Sequence, residues 1–204
     1  MCNNWPDFPI GVVGATGGLI GDTVIICGGY TGDSFPDECY SLTSKKTTLV
    51  NHMSIGKSDA ASIVLNDNTL WVTGGWNNPY NFIMASNEYF TMAGTILGPD
   101  LPIGFSSHAM VAINSTWSMV IGGSSYSGGC SALTFLYDHN EGKWTTGPSL
   151  MQGRRHHAAG IVTDEVTNEN SVAVTGGDDK DYENGFDSTE IFQDGKWVQG
   201  KINK

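Results

Sequence analysis

Apolar and polar positions alternate over short runs along this chain, and four of the runs stop at a pair of glycines. The runs are Thr23-Val24-Ile25-Ile26, Leu70-Trp71-Val72, Ser118-Met119-Val120 and Val172-Ala173-Val174. The pairs that close them are Gly28-Gly29, Gly74-Gly75, Gly122-Gly123 and Gly176-Gly177. Short β-branched and aromatic segments ending in glycine predict strands that enter a turn where φ is positive. Successive pairs lie 46, 48 and 54 residues apart. One supersecondary unit therefore repeats four times, with loops of different length.

The repeat extends outward from the glycines. Fourteen residues before the pair stand Gly14, Ala60 and His108, each followed by alanine (Ala15, Ala61, Ala109). In the fourth unit His157-Ala158 holds that place five residues further off, which puts an insertion in the polar stretch 163–171. Tyr89, Tyr137 and Ile191 come fourteen residues after the pair and Tyr40 eleven after it, with Trp144 and Trp197 beyond. Each unit reads as four short strands: alanine-bearing, glycine-ending, tyrosine-bearing and tryptophan-bearing. A four-stranded sheet has two faces to cover, and radial stacking of such sheets covers them. The expected units are 9–51, 56–97, 104–147 and 154–199 within a single domain of 1–204. Ala15, Ala61, Ala109 and Ala158 are expected on the innermost strands, lining the axis.

The glycine pairs, Tyr40, Tyr89, Tyr137, Trp144, Trp197 and the segment Arg154-Arg155-His156-His157 together resemble the kelch repeat over about the whole chain. Leu136-Tyr137-Asp138, Lys143-Trp144, Pro148 and Arg154 carry the resemblance best. Departures are Thr47 at the tryptophan position of the first unit, Thr95 or Ile96 in the second, and an arginine in one unit alone. The resemblance implies an all-β, kelch-type β-propeller of four four-stranded blades. Kelch rings usually hold more than four blades, and Trp5-Pro6-Asp7-Phe8-Pro9 looks like the exit of an earlier fourth strand. A part of a larger ring and a closed four-bladed ring are both open readings, and an incomplete ring would self-associate.

Composition narrows the function classes. Glycine makes up 27 of 204 residues and charged residues only 15%, which disfavours long surface helices and favours tight turns. With 39% apolar residues the chain can bury a core and does not read as disordered. A formal charge of −11 opposes a phosphate backbone or an anionic lipid surface, so no nucleic acid is expected as partner. No apolar run has the length of a membrane span, so no membrane insertion is expected, and Met1-Cys2-Asn3-Asn4 does not open a signal peptide.

Candidate chemistry is sparse. His156 and His157, with His108 in register, offer imidazoles, but a closed zinc or copper site needs three or four converging donors. No metal or other cofactor is expected. Copper radical oxidases occur among kelch-like propellers, yet the spacing of Tyr126 and Cys130 does not mark that chemistry. The acids of 178–187 lack the alternating pattern of a helix–loop–helix calcium site and read as a solvated loop. Ten of the 21 acids lie between Asp164 and Asp194, which favours basic partners at that end. Asn114-Ser115-Thr116 is a glycosylation sequon at an expected strand turn. Cys27 ends a second strand and Cys39 begins a third; a bridge requires them to lie nearly opposite, and two buried thiols are the other reading. A bridge would favour an extracellular over a cytoplasmic location.

The expected function is a non-enzymatic scaffold that binds a protein or peptide. In the kelch resemblance, partners dock on the rim that gathers the second-to-third loops and the connections between blades. Here that rim would present Tyr30, Asp33, Trp76, Tyr80, Tyr126, Asp178, Asp179 and Tyr182, with Arg154 and Arg155 from a blade junction. Aromatic and arginine side chains on loops are the types that make binding hot spots. Arg154 has a second reading, as a pin holding the junction. The alternatives are a propeller enzyme, either a metal-dependent oxidase or a sugar-processing one, and the substrate-recruiting end of a ubiquitin-ligase adaptor.

Overall fold

A computed structural model of the chain describes residues 5–66, 68–77, 82–126, 129–179 and 185–200. The fold is all-β, with no helix among the described residues. Two compact units divide the chain, Met1–Ser106 and Ser107–Lys204. The first holds β1 (Thr16–Ile20), β2 (Thr23–Cys27), β3 (Glu38–Leu42), β4 (Thr47–His52), β5 (Ala61–Leu65), β6 (Thr69–Thr73), β7 (Trp76–Asn77), β8 (Phe82–Ile83), β9 (Asn87–Thr91) and β10 (Gly94–Leu97). The second holds β11 (Ala109–Ala112), β12 (Trp117–Ile121), β13 (Thr134–Asp138), β14 (Lys143–Thr146), β15 (Ala158–Thr163), β16 (Asn170–Thr175), β17 (Thr189–Gln193) and β18 (Lys196–Gln199). They form four antiparallel four-stranded sheets: β1-β2-β3-β4, β5-β6-β9-β10, β11-β12-β13-β14 and β15-β16-β17-β18. A short β7-β8 hairpin rises between β6 and β9.

The glycine pairs end the second strand of each sheet for two reasons. Their φ values run from 60° to 69° at the first glycine and from 89° to 107° at the second, where a side chain is strained. Space is the other reason: a Cβ on Gly75 would lie 2.9 Å from the Ser58 carbonyl oxygen. The first glycine donates its N–H to the residue leading into the third strand, as Gly28 does to Glu38 O at 3.1 Å and Gly122 to Leu133 O at 3.0 Å. The second donates to the lead-in of the next sheet: Gly29 to Lys57 O, Gly75 to Phe105 O and Gly123 to Arg154 O, each at 2.8 Å. One pair thus turns the chain and ties a sheet to its neighbour.

Strand pairing corrects the alanine and tyrosine registers. Thr16, not Ala15, takes the place of Ala61, Ala109 and Ala158, pairing with the residue before the glycines (Cys27, Thr73, Ile121 and Thr175). Two residues, Gly21 and Asp22, separate β1 from β2, whereas three separate β5 from β6, and that difference displaced the count by one. Ala15 lies before β1 and is exposed. The three tyrosines are not equivalent either: Tyr40 opposes Ile26, Tyr89 opposes Trp71 and Tyr137 opposes Ser118. Leu42, Phe90, Tyr137 and Phe192 share one position, because second-to-third loops of unequal length defeat counting from the glycines. Opposite those four stand Thr47, Thr95, Trp144 and Trp197, so Thr95 rather than Ile96 is the tryptophan equivalent.

Alternate residues of the second strand face opposite neighbours. Ile25 and Cys27 pack against Leu70, Val72 and Phe90 in the core of the first unit. Met119 and Ile121 pack in the same way against Val172, Val174 and Trp197 in the second. Within each unit, the residues one and three before the glycines of its first four-stranded sheet thus face its second, and those two and four before the glycines of the second face back. Each large aliphatic side chain so buried contributes roughly 1.5–3 kcal/mol. Met53 and Leu150, just beyond the fourth strands, plug these two junctions.

Candidate functional site

The structure joins Cys27 to Cys39 as a disulfide, with the two residues directly opposite across β2 and β3 and their Cα atoms 4.1 Å apart. The bridge closes the base of the β2–β3 loop, which carries Tyr30, Asp33 and Phe35. Tyr30 is anchored by paired backbone hydrogen bonds with Val13, at 3.0 and 2.8 Å. The Thr31 hydroxyl accepts from the N–H groups of Asp33 and Ser34 at 3.3 and 3.0 Å, which rounds off the exposed tip.

Three rings meet beside this loop. Phe35 lies 4.8 Å from Tyr30 and 5.1 Å from Trp76, and the Tyr30 and Trp76 rings are 6.3 Å apart. Trp76 opens β7, where it exchanges backbone hydrogen bonds with Ser58 at 2.8 and 2.9 Å. Beyond it, Ile55, Asn77, Phe82 and Met84 line an apolar cavity of about 330 Å³. Ile55 is 48% exposed and Phe82 50%. Asn77 donates from its side chain to the Gly56 carbonyl. Gly56 is required because the Phe35 carbonyl passes over it, 1.9 Å from where a Cβ would stand. Tyr30 and Trp76 were legible as loop aromatics. Phe35, Ile55 and Phe82 were not, because no pattern in the sequence marks which loop residues converge.

The two arginines have different fates. Arg154 is completely buried. Its guanidinium donates to Gly176 O at 2.7 Å, Ser188 Oγ at 3.0 Å and Glu190 Oε1 at 2.9 Å, and lies 5.3 Å from the centre of the Phe186 ring. Glu190 accepts in turn from the backbone N–H groups of Met151 and Gln152. The pin reading therefore describes Arg154, and the expected rim position does not. Lys57 occupies the same place in the first unit, donating to Ser86 Oγ at 3.2 Å and ion-paired with Glu88, which accepts from Ser54 N.

Arg155 is nearly covered as well. It donates through Nε to Asp178 Oδ1 at 2.8 Å and through Nη2 to Asp179 O at 3.1 Å. His156 Nδ1 lies 2.8 Å from Asp178 Oδ2. Burial acts to raise the Asp178 pKa, but the hydrogen bonds and charges of Arg155 and His156 outweigh it and hold the carboxyl below its ordinary value. Arg155, Asp178 and Asp179 are thus brought together, with Arg155 turned inward to the acids. Tyr126 is 58% exposed. Tyr80 and Tyr182 lie outside the described residues.

His108 and His157 hold equivalent places and are both buried. Burial, then the neighbouring His157, lowers His108 to about 3. Burial and the Arg154 guanidinium lower His157 to about 4, against the Ile121 and Arg154 carbonyls, which favour the protonated ring. Both imidazoles are neutral at physiological pH. Among the described residues no group of three or more His, Cys, Asp or Glu side chains is placed to hold a metal ion. Asn114 sits exposed in the β11–β12 turn, accepting from the N–H groups of Thr116 and Trp117.

Repeated four-stranded antiparallel sheets, tied within each unit through a glycine pair, fit a propeller-like arrangement. Comparison with solved structures supports that class: 187 chains match. Among them, the structure of YjhT is similar over 98% of this chain and 74% of its own, with a TM-score of 0.82 at 16% sequence identity. At that identity the likeness shows the fold alone. No family model matches the sequence, and no curated protein does.

Proposed function

We propose that the chain is a kelch-type β-propeller, or part of one, that works as a binding scaffold without chemistry of its own. A protein or peptide partner docks on the loop surface of the first unit. The observation that carries this reading is the meeting of Tyr30, Phe35 and Trp76 beside the apolar cavity of Ile55, Asn77, Phe82 and Met84. Rigid aromatic side chains beside a small apolar cavity supply buried area with little entropy to lose. Asp33 at the loop tip and the strongly acidic chain favour a basic segment flanking the apolar anchor. The second unit offers less, since Arg154 and Arg155 spend their hydrogen bonds internally. The Cys27–Cys39 bridge supports an oxidising, extracellular setting.

Peptides selected from a random display library on the immobilised protein provide the test. Trp76→Ala and Phe82→Ser are each expected to weaken the selected peptides by roughly tenfold or more, the loss typical of a hot spot. Unchanged affinity in both variants, with unchanged melting temperature, would place the docking surface elsewhere.

A further inference from the structure

The β11–β12 turn carries the one Asn-X-Ser/Thr triplet of the sequence, Asn114-Ser115-Thr116, which takes no part in the proposed docking surface. Such a triplet accepts a sugar only under several conditions. Its middle residue is not proline, its amide nitrogen is available, and the fold leaves room for a bulky hydrated group. The chain also has to pass through a compartment that supplies the sugar.

The two polar atoms of the Asn114 side chain have separate roles. Oδ1 accepts from the backbone N–H groups of Thr116 at 2.8 Å and Trp117 at 2.9 Å, which shapes the turn. Nδ2 donates no hydrogen bond among the described residues, and the Thr116 hydroxyl makes none either. The backbone is tied down without them. Ile113 and Asn114 both donate to Trp117 O, at 2.9 and 3.2 Å, and His139 N donates to Thr116 O at 2.8 Å. Asn114 and Ser115 are exposed, and Thr116 is half-buried. A group bonded to Nδ2 therefore displaces no contact that holds the turn.

Position within the sheet agrees. β12 runs from this turn to Ile121 beside the glycine pair, so the triplet lies at the end of the sheet away from the β12–β13 loop. Asn68 and Asn170, at or beside the equivalent turns, are followed two residues on by Leu70 and Val172, both buried. Asparagine thus recurs in these turns, and only in Asn114 does a hydroxyl stand two residues further on.

The Cys27–Cys39 bridge bears on the compartment. Disulfides persist along the secretory route, and that route is also where such triplets receive sugars. On this ground, and resting on the extracellular setting proposed above, we propose that Asn114 is N-glycosylated. The donor is an oligosaccharide carried on a lipid diphosphate. A bond forms between Nδ2 and C1 of the first sugar, and the C1–O bond to the diphosphate breaks. The diphosphate leaves with the electron pair of that bond, Nδ2 gives up one proton, and nothing is oxidised or reduced. The Thr116 hydroxyl marks the acceptor for the transferase. The glycan covers the β11–β12 end of its sheet against partners and leaves the β12–β13 loop free.

Peptide mapping by mass spectrometry tests the site on the full chain isolated from the cells that make it. The peptide spanning Asn114 should carry a mass that contains hexosamine, and peptide N-glycosidase should remove it and leave aspartate at that position. Thr116→Ala should abolish the modification although Asn114 is still present. Asn114→Asp should abolish it as well while keeping the acceptor oxygen of the turn, so that loss of the sugar is not loss of the fold. An Asn114 peptide recovered only in unmodified form, or a sugar that survives Thr116→Ala, would overturn the proposal. The same digest, run without reduction, reads the cysteines. Unmodified Asn114 beside an intact Cys27–Cys39 bridge refutes the glycan alone, whereas unmodified Asn114 with free thiols refutes the extracellular setting too. Neither result touches the binding of selected peptides to the loop surface.

Discussion

Arg154 and Lys57 do the same work with different side chains. Each sits just before the first strand of its sheet and reaches a buried glutamate on the third strand. Each glutamate spends its remaining capacity on backbone N–H groups of the connecting segment. Removing one member leaves the other charged, buried and unpaired. Arg154→Ala should therefore cost about 3–5 kcal/mol in urea unfolding. Arg154→Lys should recover part of it, since lysine serves at the equivalent place in the first unit. An Arg154→Ala protein as stable as the parent would show that water replaces the guanidinium without loss.

Among the elements, the β2–β3 hairpin is closed by a disulfide and carries Tyr30 and Phe35 of the proposed docking surface. Its ladder sets Cys27 directly opposite Cys39, and the bridge closes a loop with a sequence separation of 12. By chain-entropy arguments such a bridge stabilises by about 2–3 kcal/mol. Cys27→Ser with Cys39→Ser should lower the unfolding midpoint accordingly, and it should weaken peptides that contact Tyr30 and Phe35. The same double substitution leaves Trp76 on its own β7–β8 hairpin, so its fluorescence in the folded protein should change little. An unchanged midpoint would mean that the bridge adds nothing to the folded state.

For the molecule as a whole, the two buried histidines predict how stability depends on pH. Their folded pKa values of about 3 and about 4 lie below the ordinary 6.5, so the unfolded chain binds more protons than the folded one at acidic pH. These two groups therefore leave stability unchanged above pH 6.5 and lower it as pH drops below that value. The slope approaches about 1.4 kcal/mol per pH unit for each histidine until its folded pKa is reached. Asp178, held below its ordinary value, adds to the loss at the acid end of the range. His157→Ala, which copies Ala60 at the equivalent place, should make the dependence between pH 6.5 and about 4 shallower, leaving the share of His108, when melting is followed against pH. A variant as acid-sensitive as the parent would assign the effect to other groups.

The repeat, its all-β character and its division into four-stranded sheets were determined by the sequence, because glycine pairs and β-branched runs act locally and need no distant partner. The place of the first strands was legible to within one residue. The tyrosine register was not, because loops of unequal length separate the second strands from the third, and hydrogen-bonded pairing rather than chain distance aligns them. The sequence left the cysteines open between bridge and thiols, and the β2–β3 ladder decided it by setting them opposite. Tertiary structure alone decided that Arg154 turns inward, because its glutamate lies 36 residues away on a strand whose register had to form first. It also decided that Phe35 and Phe82 join the surface around Trp76, since loop side chains converge only after the sheets beneath them have packed. Exposure followed the same division: alternation marked two faces for every sheet, and only packing between sheets determined which of them stay open.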